Sequence, residues 1–181
     1  MATVIGLDDF TYRVLSKIIY SYYVVAGSFC ERQTNKKSYN NYMFTFEQSK
    51  EMKVRVSKEQ EDNIQTLENI KTCCGYDVVI AFDIILDNEI IGFAMFEKIT
   101  KRTYFLWDYA IDIKHQNKGY GTKALVELGN LLKKEYGVKK MTTTYIWGNE
   151  HAKHVYEKVG FIETDVVDEP DCHEVNMKWA L

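Results

Sequence analysis

The alternation of apolar and polar positions is most regular from Asp77 onward. Val78 to Leu86 and Ile90 to Ile99 are apolar runs separated by the polar Asp87-Asn88-Glu89, a spacing that predicts a β-hairpin. Thr100-Lys101-Arg102-Thr103 then turns the chain into Tyr104 to Ile111, a run rich in strand formers with no Gly or Pro, so three antiparallel strands are expected in succession. The period changes after that strand: Ala124, Leu125, Leu128, Leu131 and Leu132 recur at the spacing of one helical face. Lys140 to Ile146 reads as another strand. A short helix follows, with Asn149 suited to its N-cap, Ala152, Val155, Tyr156 and Val159 on its inner face, and Gly160 at its end. Phe161 to Val167 and Val175 to Leu181 predict a final strand pair. Their link holds the only proline, Pro170, and the acids Asp165, Asp168, Glu169, Asp171 and Glu174. Strands and helices in this order suit an α/β fold built on a mixed sheet with helices on its faces.

The first seventy-odd residues are less regular. Thr3-Val4-Ile5 predicts a short strand, and Asp8 or Asp9 caps a helix whose Val14, Leu15, Ile18, Ile19 and Tyr22 share a face and which Gly27 ends. Met52, Val54 and Val56 alternate with Lys53 and Arg55 like an edge strand. Ser57-x-x-Gln60 ahead of Ile64, Leu67 and Ile70 predicts a capping box opening one helix. The aromatic run Tyr39 to Phe46 suits either the core, the commoner fate of such clusters, or the wall of a binding pocket.

Composition narrows the function classes. A chain of 181 residues with 46% hydrophobic content suits one domain, here 1–181. A net charge of −3 with 27% charged residues argues against a nucleic-acid partner. No charged-then-apolar leader opens the sequence, and Ile18 to Ala26, broken by Ser21, is too short to span a bilayer, so a cytoplasmic protein without a membrane partner is expected. Cys30, Cys73, Cys74 and Cys172 are too irregularly spaced for a disulfide framework and form no C-x-x-C pair, so reduced thiols and no metal are expected.

Candidate chemistry centres on Gly119 and Gly121, which fall where a strand hands over to an amphipathic helix. Such a turn leaves several backbone N–H groups without intrahelical partners at the positive end of the helix dipole, a place that attracts phosphate. The same glycines would also suit a plain tight turn. A dinucleotide-binding fingerprint, Gly119-x-Gly121-x-x-Ala124, requires an acid ending the next strand, where this chain carries Lys139, Lys140 and Met141.

Taken together and in this order, Gln116-x-x-Gly119-x-Gly121 and Asn149-x-x-Ala152-x-x-x-Tyr156-x-x-x-Gly160-Phe161 resemble the two core motifs of the GCN5-related N-acetyltransferase (GNAT) family. The resemblance covers the chain from Asp77 on. It implies a mostly antiparallel central sheet with helices on both faces, an acetyl-CoA-binding core at 77–181 and an acceptor-side part at 1–76. It implies acetyl-CoA as co-substrate, with the backbone N–H groups of Asn117, Lys118, Gly119, Tyr120, Gly121 and Thr122 on the pyrophosphate, the Lys118 ammonium adding a charge-assisted contact and Gln116 opening the loop. Tyr109, Ala110 and Ile111 would pair with the pantetheine along a splayed strand edge, joined by Asn149 and Ala152 of the second motif. Tyr156 matches the family's tyrosine, a general acid for the leaving thiolate, although it would also pack its helix on the core. Leu106-Trp107-Asp108-Tyr109-Ala110-Ile111 resembles the Leu-Glu-Asp-aromatic strand of polyamine acetyltransferases, with Trp107 where Glu is usual. Asp108 then either binds or deprotonates the acceptor ammonium, or is a paired structural carboxylate. A small-molecule primary amine is the acceptor implied, attacked directly in a ternary complex, and a monomer and a homodimer are both open. The rival from another class is a non-catalytic acetyl-CoA sensor on the same fold.

Overall fold

The computed structural model describes residues 43–170 and 172–181. The strand expected at Thr3–Ile5, the helix expected from Asp8 or Asp9, Cys30 and the Tyr39 to Tyr42 part of the aromatic run lie outside those residues. Among the described residues seven strands form one sheet: β1 (Thr45–Gln48), β2 (Val79–Leu86), β3 (Glu89–Lys98), β4 (Thr103–Ile111), β5 (Lys140–Ile146), β6 (Ile162–Glu169) and β7 (Cys172–Ala180), in the order β1-β2-β3-β4-β5-β7-β6. Every neighbouring pair is antiparallel except β4 and β5, which run parallel. The helices are α1 (Lys58–Glu61), α2 (Leu67–Cys73), α3 (Tyr120–Tyr136) and α4 (Glu150–Val159).

The β2–β3 hairpin closes on two residues, Asp87 and Asn88, at φ 50° and 66°, a left-handed pair that matches strand twist and that Asp and Asn tolerate best after Gly. Glu89, expected in the turn, already belongs to β3. On one face of the sheet α3 buries Ala124, Leu125, Leu128, Leu131 and Leu132, each at most 3% exposed, against Leu106, Met141 and Phe96. Burial of each leucine contributes about 1.5–3 kcal/mol. Gly129 admits the Trp179 ring, which lies where a Cβ would stand. The opposite face carries a second cluster, where Ile70 and Cys73 of α2 meet Ala81, Phe93, Met95 and Ala110. Phe44, from the aromatic run, is core at 1% exposure.

Three expectations are corrected. Met52 to Val56 buries Val54 as an alternating strand would, yet joins no ladder; it runs along the β4 end, where Ile113 donates to the Arg55 carbonyl at 2.8 Å. The capping box forms, Gln60 Oε1 accepting the Ser57 N–H at 3.2 Å, but opens only α1. The chain then breaks, because Gln65 turns its main chain and side chain onto Asp108, and a second helix starts at the Thr66 cap. Leu67 accordingly lies 57% exposed. The acidic link is mostly strand: β6 runs to Glu169 and β7 begins at Cys172, with Asp168 opposite His173 and their side chains 2.6 Å apart.

Candidate active site

β4 and β5 pair only from Thr103↔Lys140 to Phe105↔Thr142, then part. The opening between them is prepared by β4 itself. Its register against β3 jumps between Met95↔Asp108 and Phe96↔Leu106, so Trp107 is the extra residue of a β-bulge. One extra residue reverses the alternation of faces. Tyr104 and Leu106 reach the α3 face before it, Tyr109 and Ile111 after it, while Asp108 and Ala110 turn to the α2 face.

The bulge also fixes which main-chain groups look into the gap. Asp112 donates to the Ile91 carbonyl at 2.8 Å, and the register is unbroken from Gly92↔Ile111 to Met95↔Asp108. In such a ladder alternate residues bond the same neighbour, so Ala110 and Asp112 face β3 while Tyr109 and Ile111 face the side that β5 has left. Of the three residues expected at this edge, Tyr109 and Ile111 present it. The Ile111 carbonyl accepts from Gln116 Nε2 at 2.8 Å, and the same nitrogen reaches Gln60 Oε1 at 2.9 Å.

After β4 the chain makes one 3₁₀ turn, Ile113–His115, capped by Asp112. The Asp112 carboxylate accepts the N–H groups of Lys114 and Arg55, each at 3.0 Å. Burial pushes its pKa up, but those two N–H bonds prevail and hold it below the usual carboxylate range. Asn117 (φ 60°) and Gly119 (φ 75°) are left-handed, and Gly119 is the α3 N-cap. Among the described residues, no acceptor takes up the N–H groups of Asn117, Lys118, Gly119, Tyr120, Gly121 or Thr122. An array of unpartnered donors at the positive end of a seventeen-residue helix fits a diphosphate. Lys118 Nζ donates to the Lys114 carbonyl at 2.9 Å, at the loop rather than across it. Tyr120 packs edge-on against Phe44, their ring centroids 6.0 Å apart.

Across the gap, Asn149 caps α4, its side-chain oxygen accepting the Ala152 N–H at 3.1 Å. That leaves the amide NH₂ uncommitted to the cap. Two turns on from the cap, Tyr156 packs its ring on Phe161, with centroids 5.5 Å apart. Burial pushes the Tyr156 phenol up to about 12; Thr143 pulls it back and the Asp108 charge adds to the rise. Tyr109 is raised as well, by burial and then by Tyr156, and donates its hydroxyl proton to the Gly121 carbonyl at 2.6 Å. The Tyr109 hydroxyl therefore ties β4 to the first turn of α3 beyond the point where the strands part, and the Thr143 hydroxyl bonds the Leu106 carbonyl at that point, at 3.0 Å.

Asp108 is 4% exposed and Gln65 serves both its oxygens, the N–H at 3.1 Å on Oδ1 and Nε2 at 2.7 Å on Oδ2. Burial, then the charge of Asp108, pushes the Cys73 thiol up to about 11 and raises Cys74 too, so neither is a ready nucleophile. Among the described residues, no group of three or more His, Cys, Asp or Glu side chains is placed to hold a metal ion, and no helix is long and apolar enough to cross a membrane. Sequence reasoning passed over Gln65 and Thr143. Gln65 carries no pattern of its own. Thr143 had a signal, as the polar member of the inward row Met141, Thr143, Tyr145, at 0, 2 and 7% exposure.

The family model for the acetyltransferase (GNAT) family matches residues 39–161. A curated Bacillus subtilis protein, described as the uncharacterized N-acetyltransferase YycN, is 33% identical over 63 residues, 35% of this chain and 40% of the relative's length. Among solved structures, the aminoglycoside acetyltransferase AAC(6′)-Ib in complex with ribostamycin and coenzyme A is similar at a TM-score of 0.54 and 25% identity, over 64% of this chain and 74% of that one. A GNAT family acetyltransferase from Elizabethkingia anophelis with acetyl-CoA bound reaches 0.58 at 18% identity, over 77% and 99% of the two chains. A variant of the Vibrio cholerae spermidine N-acetyltransferase reaches 0.60 at 15%, over 76% and 94%. The last two likenesses concern the fold.

Proposed function

The chain belongs to the acetyltransferase (GNAT) family, and on that premise we propose that it moves the acetyl group of acetyl-CoA to a primary amine of a small molecule, by direct attack in a ternary complex. The observation that carries this reading is the open strand edge at Tyr109 and Ile111 lying in line with the unpartnered N–H groups at the start of α3. In this reading the donors of Asn117 to Thr122 hold the pyrophosphate, with Gln116 fixing the loop to β4. Tyr109 and Ile111 bond the pantetheine as a further strand would, and the Tyr109 N–H polarises the thioester carbonyl. Asn149 contributes its amide NH₂, and Ala152 keeps the first turn of α4 low enough for approach. Acetyl-CoA supplies the activated acyl group, and the residues of this chain place it and handle the protons.

Tyr156 is the proton donor to the departing sulfur. At a pKa of about 12 it remains protonated across the physiological range, so the proton is available when the C–S bond breaks. A thiol has its pKa near ~8.5, so transfer is driven by charge building on sulfur rather than by acid strength. Asp108, tied at both oxygens to Gln65, attracts the acceptor ammonium as a fixed negative charge and receives its proton through water. Trp107 beside it brings no carboxylate. A polyamine or an aminoglycoside suits such a site, since the similar structures include acetyltransferases named for both.

The test is release of free CoA from acetyl-CoA in the presence of spermidine, kanamycin and simpler primary amines, with wild-type protein and Tyr156→Phe. Amine-dependent release that falls about 10²–10⁴-fold in kcat with Tyr156→Phe is expected. Tight acetyl-CoA binding with no amine turned over would instead make the chain a sensor, the alternative that Trp107 at the usual place of Glu favours.

A further inference from the structure

We propose that Gln60 is a positioning residue for the coenzyme: acting through Gln116, it fixes the start of the diphosphate-binding loop to the open edge of β4. The inference rests on the acetyltransferase reading, through its acetyl-CoA site, and adds a residue to it. Gln60 Oε1 accepts the Ser57 N–H at 3.2 Å and Gln116 Nε2 at 2.9 Å, and the same Nε2 donates to the Ile111 carbonyl at 2.8 Å. An amide nitrogen carries two hydrogens and an amide oxygen two lone pairs, so both groups are fully engaged. The relay ends on main-chain groups, a donor at Ser57 and an acceptor at Ile111, whose polarity no side-chain rotation can reverse. Turning the Gln116 amide over would set its oxygen against the oxygens of Gln60 and Ile111. Turning the Gln60 amide over would set its NH₂ against the Ser57 N–H. Each amide is therefore held in one orientation, and the capping role of Gln60 is half of what its oxygen does.

α1 is a four-residue helix that buries no side chain, so hydrophobic contact does not fasten it. Polar contacts to the end of β4 do. The Arg55 carbonyl accepts the Ile113 N–H at 2.8 Å, the Arg55 N–H donates to the Asp112 carboxylate at 3.0 Å, and Gln60 makes the third link. Asp112 and Ile113 open the 3₁₀ turn. Gln116 is followed at once by Asn117, left-handed at φ 60° and the first of the six N–H groups that no described residue takes up. All three links thus fall in the stretch that joins the open edge to the donor array. That stretch sets the distance between them, and a coenzyme whose pantetheine lies on the edge reaches the array with its diphosphate only if the distance is right. Gln60 touches neither group of the coenzyme in this arrangement and acts through Gln116.

The experiment measures Kd for acetyl-CoA by calorimetry at about 0.15 M salt, beside kcat for CoA release with the best acceptor among spermidine, kanamycin and simple primary amines. Gln60→Met keeps the length of the side chain and removes its oxygen; Kd should rise about fivefold while kcat stays within about twofold. Gln60→Glu keeps an oxygen for both donors and should hold Kd within about twofold of wild type. Ser57→Ala alters the same cap but leaves Gln60 and Gln116 in place, so it too should hold Kd within about twofold, whatever it does to the thermal midpoint. In a Gln116→Ala background Gln60→Met should raise Kd no further, because the group it holds has gone. Gln60→Ala takes the place of Gln60→Met should the latter fail to fold. Three results overturn the proposal and leave the acetyltransferase reading standing: Gln60→Met at wild-type Kd, an equal loss from Gln60→Glu or Ser57→Ala, or a Gln60→Met loss that persists in full beside Gln116→Ala. Acetyl-CoA binding with no amine turned over removes the catalytic reading and leaves the Kd comparisons to decide the inference. A wild-type chain that does not bind acetyl-CoA overturns both.

Discussion

The strand β5 has two neighbours and bonds them unequally. Toward β7 it is paired along its whole length, from Lys140↔Ala180 to Ile146↔Glu174; toward β4 it is paired at three residues and then abandoned. One side of the strand is spent on stability and the other on a site. The difference has its origin in β4, where the Trp107 bulge turns the main-chain groups of Tyr109 and Ile111 outward, and in Thr143, whose hydroxyl takes the last carbonyl before the gap. An unpaired strand edge is otherwise a liability. Here it lies inside the sheet, between β4 and β5 and beside the start of α3.

If the two edges divide the work in this way, substitutions should separate along the same line. The largest loss of stability is expected on the closed side. Met141 is fully buried opposite Trp179, and Met141→Ala should cost about 2–5 kcal/mol in denaturant unfolding while kcat of the folded enzyme stays within a few-fold. A matching collapse of kcat would mean that the closed side is part of the machinery. Next is Gln65→Ala, which strips the side-chain donor from the buried Asp108 carboxylate and leaves the main-chain N–H in place; about 1.5–3 kcal/mol of stability should go in denaturant unfolding. An unchanged midpoint would show that Asp108 is held by other contacts.

A smaller effect concerns alkaline pH. The folded Tyr156 pKa of about 12 lies above its ordinary value of about 10, so between those pH values the unfolded chain has released a proton that the folded one keeps. Stability therefore falls as pH rises through that window, and Tyr156→Phe should flatten the fall. A slope unaffected by Tyr156→Phe would place the phenol in water. The smallest effect is expected at Lys118, whose ammonium donates to the Lys114 carbonyl; Lys118→Ala should weaken acetyl-CoA binding by no more than about threefold. A loss of tenfold or more would move Lys118 onto the diphosphate.

Much of this fold could be read from the residue pattern, and the failures have physical causes. The Gly119 turn, the Asn149 cap and the inward leucines of α3 were readable because each demands a particular residue type at a particular place. The bulge was not. Both faces of β4 are covered by helices, so Phe105, Trp107 and Ala110 are as apolar as the residues they alternate with, and a reversal of parity leaves no mark. The break between α1 and α2 was hidden because Ile64, Leu67 and Ile70 keep helical spacing across it, although only Ile70 is fully buried. The acids of β6 looked like a loop because acidic residues are depleted in strands. On an outermost strand exposed along nearly its whole length, they instead discourage edge-to-edge association.

The most direct test of the account is an amide NMR titration of isotope-labelled protein with acetyl-CoA. The account predicts that the largest shifts fall on the N–H groups of Tyr109, Ile111 and Asn117 to Thr122, which change from unpartnered to hydrogen-bonded, with those facing β7 nearly still. Saturation with acetyl-CoA that leaves those amides unmoved, or that perturbs the β5–β7 edge most, would contradict it.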